Sequence, residues 1–188
     1  EKVAIVTKKA QTTRNKVAGI LTRPQYQIVF LDTPGLHTPH NKLGEYMVKT
    51  AYDANRDVDL TIMVLDAAVG ILQRDTEVLQ KLNSPHFLAL INKIDAVKPE
   101  KVRDLIDKLI QLGIDSDAIC TASAKEGWGV AELERKILSH LRPGPQYYPP
   151  EMVTDRPERF LAAELIREKA LLCLREEIPH GVGVEIEK

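Results

Sequence analysis

Cysteine is scarce in this chain: two residues, Cys120 and Cys173, among 188. That is too few for a disulfide framework and fits a reducing, cytoplasmic setting. Aromatic residues reach only 5%. Neither sign of charge is in excess, since 26 Lys and Arg stand against 27 Asp and Glu for a net charge of −1. No global field therefore draws the protein to nucleic acid or to an anionic membrane, and any basic patch has to be local. No apolar run approaches the roughly 20 residues of a spanning helix, and no signal-peptide pattern opens the chain. What is present is 44% hydrophobic and 28% charged residues, the balance of a folded globular protein.

The chain opens at Glu1 beside the β-branched run Val3, Ala4, Ile5 and Val6, without Met, and closes at Lys188 in a second such run. Neither end reads as a natural terminus, so further residues are expected beyond both. A polar stretch over 7–16 carries Lys8, Lys9, Arg14 and Lys16. Strands are expected at 26–31, 60–65, 87–91 and 118–120, the second of them of the kind buried on both faces of a parallel sheet. Helices are expected at 43–55, 75–82, 99–112 and 130–141. In the third of these, Pro99 suits the first turn, Val102, Leu105, Ile106, Leu109 and Ile110 form the inner stripe, and Gly113 ends it. Strand and helix alternate, which predicts an α/β domain with a mostly parallel sheet flanked by helices. The segment 142–150, with four prolines, excludes regular structure and reads as a stiff linker. A helix over 157–176 and a strand-like tail follow, the opening of a second domain.

Ligands of open α/β sheets sit beyond the carboxyl ends of the strands. There, Leu31 runs into Asp32-Thr33-Pro34-Gly35, Ile91 into Asn92-Lys93-Ile94-Asp95, and Cys120 into Thr121-Ala122-Ser123-Ala124-Lys125. This ordered set points to a guanine nucleotide site. Guanine presents paired donors at N1 and the 2-amino group, which one carboxylate, Asp95, can accept together. Adenine lacks that pair and leaves the carboxylate unmatched. Asn92 can bond N7 and tie neighbouring loops. Lys93 can lay its methylene stem on one base face and Lys125 can cover the other. The Ala124 N–H can reach O6, with Ser123 bracing the loop. Asp32 can hold Mg²⁺ through water, and Thr12 or, by preference, Thr13 can offer it a hydroxyl. Gly35 can bring a bare N–H against a γ-phosphate. Thr13 and Gly35 are thus the candidates nearest the reacting phosphate. Trp128 is expected to cover the sheet edge, and Cys120 to lie in the core. His37 and His40 read as ordinary loop histidines, and the lysines of 7–16 as a solvated run.

Gln11-Thr12-Thr13-Arg14-Asn15, Asp32-Thr33-Pro34-Gly35, Asn92-Lys93-Ile94-Asp95 and Ser123-Ala124-Lys125 resemble the ordered signature of translation-factor-type small GTPases. Ala10 through Asn15, Asp32 through His37, Tyr147-Tyr148-Pro149-Pro150 and Thr154 through Phe160 resemble the Era family more closely. That resemblance implies a P-loop-NTPase-like GTPase domain over 1–142, a linker over 143–156, and the start of an α+β KH-type RNA-binding domain over 157–188. It implies GTP or GDP with Mg²⁺ as ligands, 16S ribosomal RNA and the small ribosomal subunit as partners, a monomer, and a role in small-subunit maturation. It leaves open a peripheral contact with the inner membrane. The phosphate-cradling G-x-x-x-x-G-K-[ST] and the G-x-x-G loop of KH domains do not occur in the sequence, and both are expected in the intact protein.

After the glycine of D-x-x-G, Ras-like enzymes place a glutamine that orients water. Here Leu36 stands there and can neither donate nor accept, so slow intrinsic hydrolysis is expected. Two alternatives stay open: a related GTPase serving tRNA modification, and a non-hydrolysing scaffold.

Overall fold

The computed structural model describes residues 17–33, 58–81, 86–173 and 182–187. They form two compact units, 17–33 with 144–187 in the first and 58–143 in the second. The expected run at 3–6, the helix at 43–55, Thr12, Thr13, Gly35, Leu36, His37 and His40 lie outside the described residues.

The first unit carries a hairpin. Strand β1 (Val17–Arg23) pairs antiparallel with β2 (Tyr26–Asp32), from Arg23 opposite Tyr26 to Val17 opposite Asp32. Strand β1 is an addition to the sequence reading. Pro24 and Gln25 form the two-residue turn that makes the hairpin, a punctuation between two apolar runs. The segment after Gly144 has no regular element until the helix that begins at Glu158, as its prolines require. It is nonetheless held along the hairpin. The Gln27 amide accepts from the N–H groups of Tyr147 and Tyr148 and donates to the Tyr148 carbonyl and to Thr22 Oγ1. Ile20 N donates to the Val153 carbonyl and Ala18 N to Asp155 Oδ1.

The last helix of this unit spans Glu158–Cys173 and buries Arg167, Glu168 and Leu171 while exposing Leu165, Ile166 and Leu172. Arg167 forms a fork with Glu164, at 2.7 and 2.6 Å, the two-bonded geometry that a buried guanidinium requires. The tail at 182–187, expected as a strand, is irregular; among the described residues no strand takes its backbone bonds.

The second unit is a parallel sheet in the order β3 (Thr61–Asp66), β4 (Phe87–Asn92), β5 (Ile119–Thr121). Helices α1 (Gln73–Lys81), α2 (Pro99–Gln111) and α3 (Val130–Leu138) complete it, and the helix at Glu158–Cys173 is α4. Side chains alternate between the two faces with the strand period. Met63, Leu65, Ala89, Ile91 and Ile119 pack with Leu105 and Leu109 of α2 and Leu79 of α1. On the opposite face Ile62, Leu88, Leu90 and Cys120 pack with Leu133 of α3. Helices therefore cover both faces, as a parallel sheet requires. Leu109 is fully buried, and its truncation to Ala is expected to cost about 2–5 kcal/mol. Burial pushes the Cys120 thiol pKa up, in keeping with its place in the core.

Two details depart from expectation. Val64 is 60% exposed, on β3, the outer strand of the described sheet. Ile110 is exposed, because it lies about 100° round α2 from Leu109, outside the arc that meets the sheet.

Candidate guanine-binding site

Register brings the carboxyl ends of the three parallel strands to one edge: Asp66 opposes Asn92, and Ile91 opposes Thr121. Each strand is anchored by apolar residues up to its last position and then releases polar ones. The chain leaves β4 through Lys93, whose backbone is left-handed at φ 63°, a costly conformation for a residue with a Cβ. It is compensated locally. Lys93 N donates to Asn92 Oδ1 at 2.8 Å, and a 3-10 turn over Ile94–Ala96 closes with Ala96 N on the Lys93 carbonyl.

The same Asn92 oxygen accepts from Ala124 N at 3.0 Å, so Asn92 ties the loop after β4 to the loop after β5. Ile94 N on the Ala122 carbonyl makes a second tie. A third is Ser123 Oγ, which donates to Asp95 Oδ1 at 2.6 Å and accepts from Glu126 N. Ser123 is fully buried, so its hydroxyl has the satisfied geometry that burial demands. The loop after β5 closes on itself through Ser123 N to the Trp128 carbonyl and Gly127 N to the Ser123 carbonyl. Trp128 contributes its backbone, and the residue as a whole is more than half exposed. The loop ends at Gly129, φ 73°, where an added Cβ would stand 2.1 Å from the Thr121 carbonyl oxygen. Only glycine fits there.

Lys93 Nζ forms a 2.6 Å ion pair with Asp66 Oδ2. Asp66 Oδ1 accepts from Ala68 N at 2.8 Å and Val69 N at 3.4 Å. The Lys93 hydrogen bond, aided by those N–H groups against the opposing effect of burial, holds the Asp66 carboxyl below the usual carboxylate range. The lysine is well exposed, so the pair is worth about 1 kcal/mol or less. Lys125 is solvent-exposed and paired with Glu126 at 2.8 Å.

The structure thus brings Asn92, Lys93, Asp95, Ser123 and Ala124 into one hydrogen-bonded cluster and sets Lys125 at its rim. Asp32 ends β2 as an exposed carboxylate in the other unit. Thr13 and Gly35 lie outside the described residues. The arrangement fits guanine: among the described residues Asp95 Oδ2 takes no hydrogen bond, and Oδ1 takes one from a neutral hydroxyl, so the carboxylate keeps capacity for paired N–H donors. The Ala124 N–H, expected to face O6, donates here to Asn92. Sequence reasoning missed Asp66 and Gly129. Asp66 had a signal, being the first polar residue after the apolar run of β3, as Asp32 and Asn92 are after theirs.

A parallel sheet clothed by helices on both faces, with its polar loops at the carboxyl edge, is the fold of P-loop GTPases. A family model described as a 50S ribosome-binding GTPase matches residues 1–93. GTPase Era of Clostridium acetobutylicum is 44% identical over 99% of this chain and 63% of its own length. GTPase Era of Alkaliphilus metalliredigens is also 44% identical, over 98% of this chain and 63% of its own. A crystal structure of Era in complex with MgGDPNP and nucleotides 1506–1542 of 16S ribosomal RNA superposes with TM-score 0.88 at 40% identity, over 95% of this chain and 61% of that one. An Aquifex aeolicus Era variant bound to GDP·AlF4⁻ gives 0.87 at 38%, over 95% and 62%. Over nearly its whole length the chain is similar to GTPases of the Era family. It spans about 63% of the length of these curated relatives.

Proposed function

We propose that the intact protein is a GTP-binding switch that hydrolyses GTP slowly, binds 16S ribosomal RNA and assists maturation of the small ribosomal subunit. The observation that carries this reading is the cross-loop network in which Asn92 and Ser123 bind together the loops bearing Asp95 and Ala124. Such bracing holds the purine-recognising carboxylate in place before a ligand arrives, which lowers the cost of binding. Asp95 accepts the paired guanine donors, Asn92 contacts N7, and Lys93 and Lys125 flank the ring. Ala124 N reaches O6 by exchanging or sharing its bond to Asn92.

On the same reading Asp32 and Thr13 would hold Mg²⁺, and the Gly35 N–H would serve the γ-phosphate. Mg²⁺ supplies charge neutralisation to the phosphates. Leu36 offers no water-orienting group, which supports slow turnover. The reading assigns 1–142 to the GTPase domain, 143–156 to the linker and 157–188 to the opening of a KH-type domain. It places a monomer in the cytoplasm, with any membrane contact peripheral. No helix among the described residues is long and apolar enough to cross a membrane. Two of the relatives by fold are complexes with guanine nucleotides, and one of these also holds 16S RNA, which supports the ligand classes.

The test is thermal melting of the full-length protein with Mg²⁺ and GDP, GTP or ADP, alongside binding of an oligonucleotide from the 3′ end of 16S RNA. Guanine nucleotides are expected to raise the melting temperature and ADP to leave it unchanged. Equal shifts with ADP, or none with GDP, overturn the nucleotide reading; absence of RNA binding in both nucleotide states overturns the ribosomal one.

A further inference from the structure

The loop after β4 is braced on one side by β5, through Asn92, Asp95 and Ser123. Its other side is braced by β3 through the ion pair of Asp66 with Lys93, 27 residues apart in the chain. Asp66 lies directly across the sheet from Asn92, and Ala67 N donates to the Asn92 carbonyl. We propose that Asp66 is a positioning residue for purine recognition: its carboxylate holds the Lys93 ammonium, so that the methylene stem between ammonium and backbone is laid out ready to pack on the base. This rests on the reading of the cluster as a guanine site.

Three observations support it. The carboxylate is itself fixed, because its second oxygen accepts from Ala68 N and Val69 N. The backbone of Lys93 is fixed too, in a left-handed conformation capped by Asn92 Oδ1. A four-carbon stem tethered at both ends has lost most of its rotamer freedom before a ligand arrives, so binding does not bear that loss. The competing role for Asp66 is to cap the turn that follows β3. The two roles separate chemically: Asp66→Asn keeps an oxygen for Ala68 and Val69 but removes the charge that holds Lys93.

The experiment is a double-mutant cycle on the full-length protein, using a fluorescent GDP with Mg²⁺ and reading Kd for Asp66→Asn, Lys93→Met and the double variant. Lys93→Met keeps the stem and deletes the ammonium. Asp66→Asn is expected to weaken GDP binding about twofold to fivefold in the parent, the range for a partly exposed ion pair, and to add no further loss beside Lys93→Met. The same loss in both backgrounds, or a lowered melting temperature with unchanged Kd, assigns Asp66 to the turn and overturns the proposal. Asp95→Asn, assayed with GDP and xanthosine diphosphate, reports separately on the underlying site. If that variant turns to xanthine while the cycle shows no coupling, only the role of Asp66 fails. If it does not turn, the guanine reading and this proposal fall together.

Discussion

Ser123 Oγ stands 2.6 Å from Asp95 Oδ1 and donates to it, across 28 residues of sequence and between the ends of two parallel strands. The carboxylate proposed to read the base is thereby oriented by a side chain with no exposure to solvent. Removing that hydroxyl leaves Asp95 without its brace and Glu126 N without its acceptor. Ser123→Ala is expected to cost about 1–3 kcal/mol of stability and to weaken GDP binding in parallel. Urea unfolding with and without GDP measures both; a neutral result in each would show the brace to be dispensable.

Asp95→Asn replaces a two-acceptor edge by one acceptor and one donor. Guanine then meets a mismatch, whereas xanthine, with an acceptor at C2, meets a match. GDP affinity is expected to fall roughly 100-fold or more, as when a charge-assisted pair is lost, and xanthosine diphosphate affinity to rise. Competition of the two nucleotides against a fluorescent GDP decides it.

Gly129 and Gly127 both have positive φ, but their surroundings differ. A Cβ at Gly129 would collide with the Thr121 carbonyl, while at Gly127 nothing lies within 4 Å. Gly127→Ala is expected to cost about 1–2 kcal/mol, the penalty of the left-handed conformation alone. Gly129→Ala should cost clearly more and disturb the Ser123 loop, lowering GDP affinity as well. Equal melting temperatures for the two variants would contradict the packing account.

The Asp66 carboxyl is held below its ordinary range, first by the Lys93 hydrogen bond. A group with a depressed folded pKa binds fewer protons when folded than when unfolded, so stability rises with pH through that window. Its contribution is present at neutral pH and is lost as pH falls below about 4, the ordinary Asp range, towards the folded value. The stability gap between parent and Asp66→Asn should therefore be constant above about pH 5 and shrink below pH 4. A gap that grows on acidification has the wrong sign and would refute the assignment.

Gln27 makes four side-chain hydrogen bonds within its unit, three of them to the backbone of Tyr147 and Tyr148. Gln27→Ala should loosen the proline-rich segment from the hairpin. Each such bond is worth about 0.5–1.5 kcal/mol, so proteolysis between Gly144 and Pro150 is expected to accelerate about tenfold. Timed digestion followed by mass analysis locates the cut.

The polar ends of β2, β4 and β5 were legible because buried strands spell themselves as apolar runs, and Asp32, Asn92 and Thr121 interrupt those runs. The helix over Pro99–Gln111 was legible from its proline and its Leu105 and Leu109 spacing. Strand β1 was passed over because Gly19, Thr22 and Arg23 dilute its apolar pattern, although its hairpin turn carried a proline. Ile110 and Val64 were placed in the interior because hydrophobic type alone does not tell which side of a helix or which end of a sheet meets a partner.

The sequence by itself determined the chemistry at the sheet edge: which loops carry the carboxylate, the amide, the lysines and the hydroxyl, and in what order. These are local facts, written in runs of four or five residues at strand ends. Tertiary structure alone decided the pairings, Ser123 with Asp95, Asn92 with Ala124, Lys93 with Asp66 and Gln27 with the linker. Each joins residues far apart in the chain, and parallel register, set by burial of the whole sheet rather than by any one segment, brings the first three within hydrogen-bonding reach.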